Sequence, residues 1–299
     1  MLQPTTSEKT TQVLKDVITR FESDFKGRVQ SYYLEGSYAD NSQVGSSDLD
    51  LLIVFKGDFE TATEEQIAIQ LGKVCAALSP VELDLTIQAE ASLAVDGLTP
   101  GLMWASKLIY GTAIRDKFNL VSIEQWTRDR MHTSYWRTAH LFNRKLPLTI
   151  PLDFPDVDGV FFGYDLRKLR LADGSEVNCT RDLIRLVGWS ATALIAYLTG
   201  QYVPGKREVG TLYREYINDE WTDLIEEIYY KCRGKWNYLI PTNPAEREEL
   251  RNLCRQTLAF ENHFIEIYLK FLQDELTGSD VKGCEWAKQI LTEIPYLRL

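Results

Sequence analysis

The sequence has few of the residues that build disulfides and zinc sites. Its 299 residues include five cysteines and three histidines. The cysteines are odd in number and form no C-x-x-C pair. Such usage is typical of reduced thiols, whereas structural zinc sites cluster cysteine and histidine at short spacing. We therefore expect free thiols in a cytoplasmic protein and no zinc centre.

Long apolar runs and an excess of positive charge are also missing. No run reaches the roughly 18 residues of a membrane-spanning helix, and the polar residues 1–12 are unlike a secretory signal. Lysine and arginine number 33 against 43 acidic residues, a net charge of −10, which disfavours a non-specific nucleic-acid binder. The hydrophobic fraction of 44% suffices for a globular core. These features predict a soluble enzyme or binding module that uses neither membrane nor nucleic acid.

The patterns of helix and strand change near residue 120. Residues 1–120 alternate between the two, which predicts an α/β (α+β) head with a mixed sheet. Residues 121–299 are mostly helical, which predicts an all-α bundle for substrate binding. In the head we predict helices at 5–25 and 61–78 and strands at 28–34, 49–55 and 81–88.

The second half contains five predicted helices and one hairpin. The hairpin spans residues 169–177 and turns at Asp173-Gly174. The helices are predicted at 123–144, 179–198, 208–231, 244–272 and 285–292.

One segment of the head contains candidate residues for binding a metal ion and phosphate. Gly36-Ser37 follows the first strand, and Asp48-Leu49-Asp50 opens the second. Residues two apart in a strand face the same side, so we expect the two aspartates to project together. Mg²⁺ prefers such oxygen ligands and leaves positions for substrate phosphates. A glycine and a serine at the end of a strand allow phosphate to approach the backbone.

The third predicted strand supplies another acid. Glu82 and Asp84 alternate with apolar residues along it. If this strand pairs with residues 49–55, one of the two can join the aspartates. It would then ligate a metal or take the proton of an attacking hydroxyl.

These residues resemble the nucleotidyltransferase superfamily, whose heads are similar to that of DNA polymerase β. The pattern is G-S, a spacer, D-x-D and a later acid between apolar residues. It is matched by Gly36-Ser37, Asp48-x-Asp50 and Asp84 within residues 30–88. The resemblance implies a nucleotidyltransferase domain in which these three aspartates hold magnesium.

Within the superfamily, the chain most resembles the streptomycin/spectinomycin-type aminoglycoside adenylyltransferases. The resemblance implies transfer of AMP from ATP, with Mg²⁺, to a hydroxyl of a small, aminoglycoside-like molecule. Asp84 stands at the position of the family's catalytic base. The neighbouring Glu82 is the alternative for that role and is also a candidate contact of the substrate. Ser47 joins Gly36 and Ser37 as a candidate nucleotide-binding residue.

A weaker match lies among the helices. The segment from Thr199-Gly200 to Lys206 is similar to the family's T-G-x-x-x-P-K, whose lysine meets the nucleotide phosphates. Lys206 or Arg207 could fill that position. Asp182 stands where the family has an acid that binds the aminoglycoside, although an acid there also suits the first turn of a helix.

Two other functions are compatible with the sequence. A nucleotidyltransferase of the toxin–antitoxin kind would adenylylate a protein partner in place of a small molecule. A head that binds nucleotide without turnover would act as a regulatory module. The intact Asp48, Asp50 and Asp84 weigh against the second alternative.

Overall fold

The computed structural model describes residues 8–142, 144–171 and 174–294. The chain divides into two compact units. Unit 1 consists of Met1–Trp126 together with Tyr202–Glu208, and unit 2 of Thr127–Gln201 together with Val209–Leu299. The division therefore follows Trp126, not residue 120, and a later segment of the chain returns to unit 1.

Unit 1 is built on one mixed sheet. Its strand order is β3-β2-β1-β4, with β2 parallel to β3 and β1 antiparallel to both β2 and β4. The strands are β1 (Val29–Glu35), β2 (Leu49–Phe55), β3 (Leu83–Ala89) and β4 (Lys107–Gly111). The helices are α1 (Glu8–Asp24), the single turn α2 (Gly36–Ala39), α3 (Ala62–Leu78), α4 (Glu90–Asp96) and α5 (Pro100–Trp104). The predicted mixed sheet is confirmed, while β4, α4 and α5 were not predicted.

Local sequence explains where α1 and α3 form. Helical spacing buries one apolar face of α1; the predicted start at Thr5 lies outside the described residues. The Oγ1 atom of Thr61 accepts a hydrogen bond from the Glu64 N–H at 3.0 Å and so caps α3. Ser79-Pro80 ends that helix because proline cannot continue it.

The central strand β2 is apolar on both faces. Leu49, Leu51, Ile53 and Phe55 join one core cluster with residues of α1 and α3. Leu52 and Val54 join a second cluster on the other face with Leu93, Leu98, Leu102 and Ile114. Asp50 occupies the position on this second face next to Leu52, so a charged residue stands where an apolar core ends.

The segment Tyr202–Glu208 is held in unit 1 by aromatic contacts. The Tyr202 hydroxyl donates a hydrogen bond to the Val121 carbonyl at 2.6 Å. Its ring centroid lies 5.9 Å from that of Trp104 and 6.5 Å from that of Trp126. These contacts are the physical reason that Lys206 belongs to the same unit as the sheet.

Unit 2 is mostly helical and carries one hairpin. The antiparallel strands β5 (Lys168–Arg170) and β6 (Glu176–Asn178) confirm the predicted hairpin; Asp173 of its turn lies outside the described residues. The helices are α6 (Ile123–His140), whose first residues belong to unit 1, α7 (Arg181–Thr199), α8 (Val209–Tyr216), α9 (Thr222–Ile228), α10 (Pro244–Thr277) and α11 (Val281–Glu293).

One predicted helix, at residues 208–231, is wrong as a single element. The chain leaves α8 through Asn218, whose φ is +51°, a left-handed conformation that interrupts a helix. The Asp219 side chain then accepts a hydrogen bond from the Trp221 N–H at 2.9 Å, and α9 follows. The π-helical segment Tyr229–Lys235 continues from α9. Asparagine tolerates this backbone, so the break required no glycine or proline.

The helices and the cysteines of the structure bear on membrane crossing and on disulfide bonds. Among the described residues, no helix combines the length and apolar character that a membrane crossing requires. All five cysteines are free.

A buried ion pair lies in the core of unit 2. Both guanidinium nitrogens of Arg144 bind the Glu261 carboxylate, Nη1 to Oε1 at 2.7 Å and Nη2 to Oε2 at 2.9 Å. The side chains are 7% and 1% exposed. The Tyr164 hydroxyl donates a further hydrogen bond to Oε2. The pair connects the chain beyond α6 to the middle of α10.

We expect Glu261→Gln to destabilise the protein strongly. The amide would leave the Arg144 charge buried without its counter-charge, which costs about 3–5 kcal/mol. The free energy of unfolding in urea measures the loss. Arg214→Gln, which breaks an exposed pair with Asp223 and Glu226 in the same unit, is the control and should change stability little. Equal effects of the two substitutions would contradict the prediction.

Candidate active site

Three carboxylates lie side by side at one end of the sheet of unit 1. In the β1–β2 register Glu35 pairs with Asp50, and in the β2–β3 register Asp50 pairs with Asp84. Paired residues on adjacent strands face the same side, with Cβ atoms about 5 Å apart. Asp50 therefore stands between two other acids, in the middle of a row that crosses three strands.

The row is electrostatically crowded. Burial, together with the neighbouring charges of Asp50 and Asp84, raises the pKa of Glu35 to about 7. A carboxyl in that condition gives up its proton less readily because its charge would be poorly solvated and close to like charges. A bound cation would remove both penalties.

Asp48 lies directly before β2 and is 9% exposed. The intervening Leu49 is fully buried in the core, and its N–H donates to the Glu82 carbonyl at 2.9 Å. This bond fixes the start of β2 against the start of β3. The two aspartates thus flank a residue that is anchored by both its side chain and its backbone.

Gly36 is fitted closely to Asp50. Its φ is +59°, a conformation that glycine adopts without strain. A Cβ atom on this residue would clash with Oδ2 of Asp50. The close approach explains why a glycine must follow Glu35, and it puts the turn α2 directly against the acid row.

The two serines near the acids have different surroundings. Ser37 lies in α2, and its carbonyl accepts a hydrogen bond from the Ser42 N–H at 2.9 Å. Ser47 is 8% exposed, and its Oγ accepts a hydrogen bond from the Val44 N–H at 2.9 Å. Ser47 therefore shapes the loop that precedes Asp48. Its contact with a nucleotide stays a prediction, as does that of Ser37.

The alternatives for the third acid are placed differently. Asp84 lies within β3 in register with Asp50, whereas Glu82 precedes the strand. Both residues are exposed. Of the two, only Asp84 acts on the Glu35 carboxyl strongly enough to shift its pKa. The sheet register thus favours Asp84 as the acid that belongs to the row.

The two more distant candidates belong to different units. Lys206 is an exposed residue of the segment that groups with unit 1. Asp182 is a residue of unit 2, 6% exposed, with Oδ1 at 3.4 Å from Arg167 Nη1 and 3.9 Å from Arg185 Nη1. Burial raises the pKa of Asp182, and the nearby arginines oppose that shift. Its carboxylate therefore already has cationic neighbours.

The residue that sequence reasoning missed is Glu35. Its signal was present: it follows Tyr33 by two positions in a strand, so the two share a face, and it directly precedes Gly36. The strand was expected to end at Leu34, and the glutamate was therefore assigned to the following turn.

The donor set fits magnesium. The acids near the turn offer only oxygen ligands, which Mg²⁺ prefers. Within the described ranges, no group of three or more His, Cys, Asp or Glu side chains is arranged to hold a metal ion. Mg²⁺ commonly binds one or two carboxylates and completes its shell with water and substrate phosphates. Asp48 and Asp50 therefore meet what a nucleotide-bound magnesium requires.

Solved structures with a similar chain path include a spectinomycin adenyltransferase, AAD(9), from Enterococcus faecialis with ATP and spectinomycin. It is 15% identical, with coverage of 85% of this chain and 98% of that chain and a TM-score of 0.48. A toxin–antitoxin complex with AMP-PNP is 20% identical, with coverage of 43% and 96% and a TM-score of 0.25. A complex of the tri-AMPylated Shewanella oneidensis HEPN toxin with MNT antitoxin is 18% identical, with coverage of 44% and 96% and a TM-score of 0.23. At these identities and TM-scores the likeness does not extend to substrate or partner.

The comparison by family bears on the site directly. No curated protein matches the chain. The family model described as "Nucleotidyltransferase domain" matches residues 14–97, a range that includes β1, β2 and β3 with Glu35, Gly36, Asp50 and Asp84. The resemblance identified in the sequence is thereby confirmed at the level of the domain: unit 1 of this chain contains a nucleotidyltransferase domain.

Proposed function

We propose that this chain transfers AMP from ATP to a hydroxyl group of a small molecule. The observation that carries the proposal is the register of Asp50 with Asp84, beside a glycine turn that contacts Asp50. That arrangement supplies adjacent acids for a metal–triphosphate and open backbone for its phosphates. Magnesium dependence and ATP as donor are parts of the same proposal.

The acids divide into two roles. Asp48 and Asp50 would hold magnesium, which, when bound, neutralises charge on the triphosphate and stabilises the transition state. Asp84 would accept the proton of the acceptor hydroxyl. Glu35 would lie on the other side of Asp50, in the same row of acids.

The proposed transfer is a nucleophilic substitution at the α-phosphorus of ATP. The hydroxyl oxygen attacks the α-phosphorus, and the bond from that phosphorus to the oxygen bridging to the β-phosphate breaks. Pyrophosphate leaves, and the hydroxyl proton passes to Asp84. Gly36 and Ser37 would hold the β- and γ-phosphates, and Lys206 would add a positive charge toward them.

The resemblance of the sequence favours an aminoglycoside-like acceptor. Asp182, the residue expected to bind its ammonium groups, lies among arginines in unit 2. We therefore propose that acceptor binding does not depend on Asp182 alone.

Mass spectrometry tests the function. The protein is incubated with ATP and magnesium against a panel of aminoglycosides, with Asp48→Asn as the control. A gain of one AMP on an acceptor, reduced about a thousandfold in rate by Asp48→Asn, is the expected result. AMP found on a protein would show that the acceptor is a protein and not a small molecule. ATP that stays intact with every acceptor would contradict the proposed AMP transfer.

We expect Asp84→Asn and Glu82→Gln to differ sharply. Removal of the proton acceptor should lower kcat by about a hundredfold or more. Glu82 lies outside the row, so Glu82→Gln should leave kcat within about threefold of the parent. Steady-state rates of pyrophosphate release, at saturating ATP, measure both. The reverse order would assign the role to Glu82.

We expect Gly36→Ala to abolish transfer through its clash with Asp50. The matched control is Gly57→Ala, because Gly57 has a φ of +60° and nothing within 4 Å of an added Cβ. Both alanines should lose stability by about 1–2 kcal/mol from the same backbone strain. Only Gly36→Ala should lose pyrophosphate release, and equal activity of the two variants would contradict the close fit.

A further inference from the structure

The sheet face of unit 1 that carries the acid row also carries an exposed tryptophan. Trp104, the last residue of α5, is 54% exposed. Leu102 of the same helix belongs to the core cluster that contains Leu52. Leu52 follows Asp50 by two positions in β2, so both side chains lie on one face of the sheet. The helix α5 therefore packs on the face of the acid row.

The tryptophan also lies at the end of the sheet where the acids are. In the β1–β4 register Leu34 pairs with Lys107, so β4 begins beside the residue that precedes Glu35. Trp104 comes three residues before Lys107 and therefore lies beyond this end of β4. The indole and the acids thus belong to the same end of the same sheet face.

Hydrogen bonds fix α5 and the chain that follows it. The Oγ1 atom of Thr99 accepts a hydrogen bond from the Leu102 N–H at 3.1 Å and caps the helix. The Ser106 hydroxyl donates to the Leu102 carbonyl at 2.7 Å. Arg115 donates to the same carbonyl at 3.1 Å and to the Ser106 Oγ at 2.7 Å. The backbone at Trp104 is therefore in place before a ligand binds, which lowers the entropic cost of binding.

The later segment of unit 1 lies against Trp104 and brings Lys206 beside it. The Tyr202 ring meets the indole at an interplanar angle of 72°, an edge-on contact that covers one face of the indole at most. A Cβ atom added to Gly205 would lie 4.0 Å from the Cβ atom of Ala105. The exposed Lys206 follows Gly205 directly, as Trp104 directly precedes Ala105. A cationic side chain and an aromatic surface therefore adjoin on the face of the acid row.

The indole suits the one part of a nucleotide for which the proposed site names no partner. The acids, the turn at Gly36 and Lys206 would bind magnesium and the phosphates, and the base would remain. Aromatic side chains bind nucleobases by stacking, because every base presents a π-face. Tryptophan offers a large, rigid aromatic surface for such a contact. The exposed part of Trp104 can therefore receive a base.

We propose that Trp104 binds the base of the nucleotide donor by stacking, and that the donor is a purine nucleoside triphosphate. This inference rests on the proposed function, since it assigns a place to the base of ATP within the same site. A purine has two fused rings and covers more of an indole than the single ring of a pyrimidine does. Lys206 and the turn at Gly36 would hold the triphosphate end of the same molecule.

Binding of ATP and of inorganic tripolyphosphate separates the base from the phosphates. Each is titrated with Mg²⁺ into the full chain, without acceptor, by isothermal titration calorimetry. We expect Trp104→Ala to weaken ATP binding by at least about fivefold, the loss typical of a stacking contact. Tripolyphosphate has no base, so its affinity should stay within about twofold of that of the parent. CTP should bind the parent more weakly than ATP, and Trp104→Ala should reduce this difference.

Trp136→Ala is the matched control. Trp136 is a tryptophan of similar exposure, 53%, on α6, and its removal should leave both affinities unchanged. Trp104→Phe keeps a flat ring and should bind ATP more tightly than Trp104→Ala. ATP should quench part of the tryptophan fluorescence of the parent, and that part should be missing in Trp104→Phe. Circular dichroism establishes that each variant is folded.

Two results would overturn the inference. One is parental ATP affinity in folded Trp104→Ala. The other is an equal loss of ATP and tripolyphosphate affinity, which would show that the indole supports the phosphate site and not the base. Either result, found together with AMP transfer by the parent, would leave the proposed function standing.

The opposite combination separates the two proposals as well. ATP binding that depends on Trp104, without AMP transfer to any acceptor, would contradict the proposed function and support the base site. A parent protein that binds no ATP would contradict both.

Discussion

Like-charge repulsion at one end of one sheet face is the constraint on which unit 1 depends. Glu35, Asp50 and Asp84 share a register across three strands. Two like charges about 5 Å apart repel by roughly 3 kcal/mol at an effective dielectric constant of about 20. A fold does not gain stability from such a row. The apolar faces of β2, which fill two core clusters, offset this cost and hold the acids together.

The chain has two ways to lower that repulsion. One is visible in Glu35, whose pKa of about 7 means that it readily keeps a proton near neutral pH. The other is a cation, whose positive charge would offset the negative charges of the acids beside it. A site that is strained without its ligand gains selectivity for it, because a ligand of the wrong charge relieves nothing. Gly36, which has no side chain, allows the Asp50 carboxylate to lie directly against the turn.

The parts of this arrangement that the sequence reveals are those with a local pattern. The apolar run around Asp50 predicts β2 at residues 49–55, as found, and the patterns of the neighbouring segments place β1 and β3 within two residues of their observed bounds. Glu35 was missed because a glutamate at the end of a strand has no local mark of burial; only its partners on β2 identify it. The five-residue β4 has too few residues for a periodic signal. The break at Asn218 depends on a left-handed residue whose conformation tertiary packing selects. The return of Lys206 to unit 1 depends on Tyr202, whose contacts with Trp104 and Val121 are distant in sequence.

The surroundings of Asp182 in the fold differ from what its position in the sequence suggests. An acid at this position suggests attraction for an ammonium group if it is considered alone. In the fold, Arg167 and Arg185 lie against its carboxylate and Arg137 is close enough for the charges to interact. A cation that approaches this carboxylate therefore meets two guanidinium groups already placed against it. In this environment Asp182 is a counter-charge for the two arginines, so the proposed cationic acceptor would need further acids for its binding.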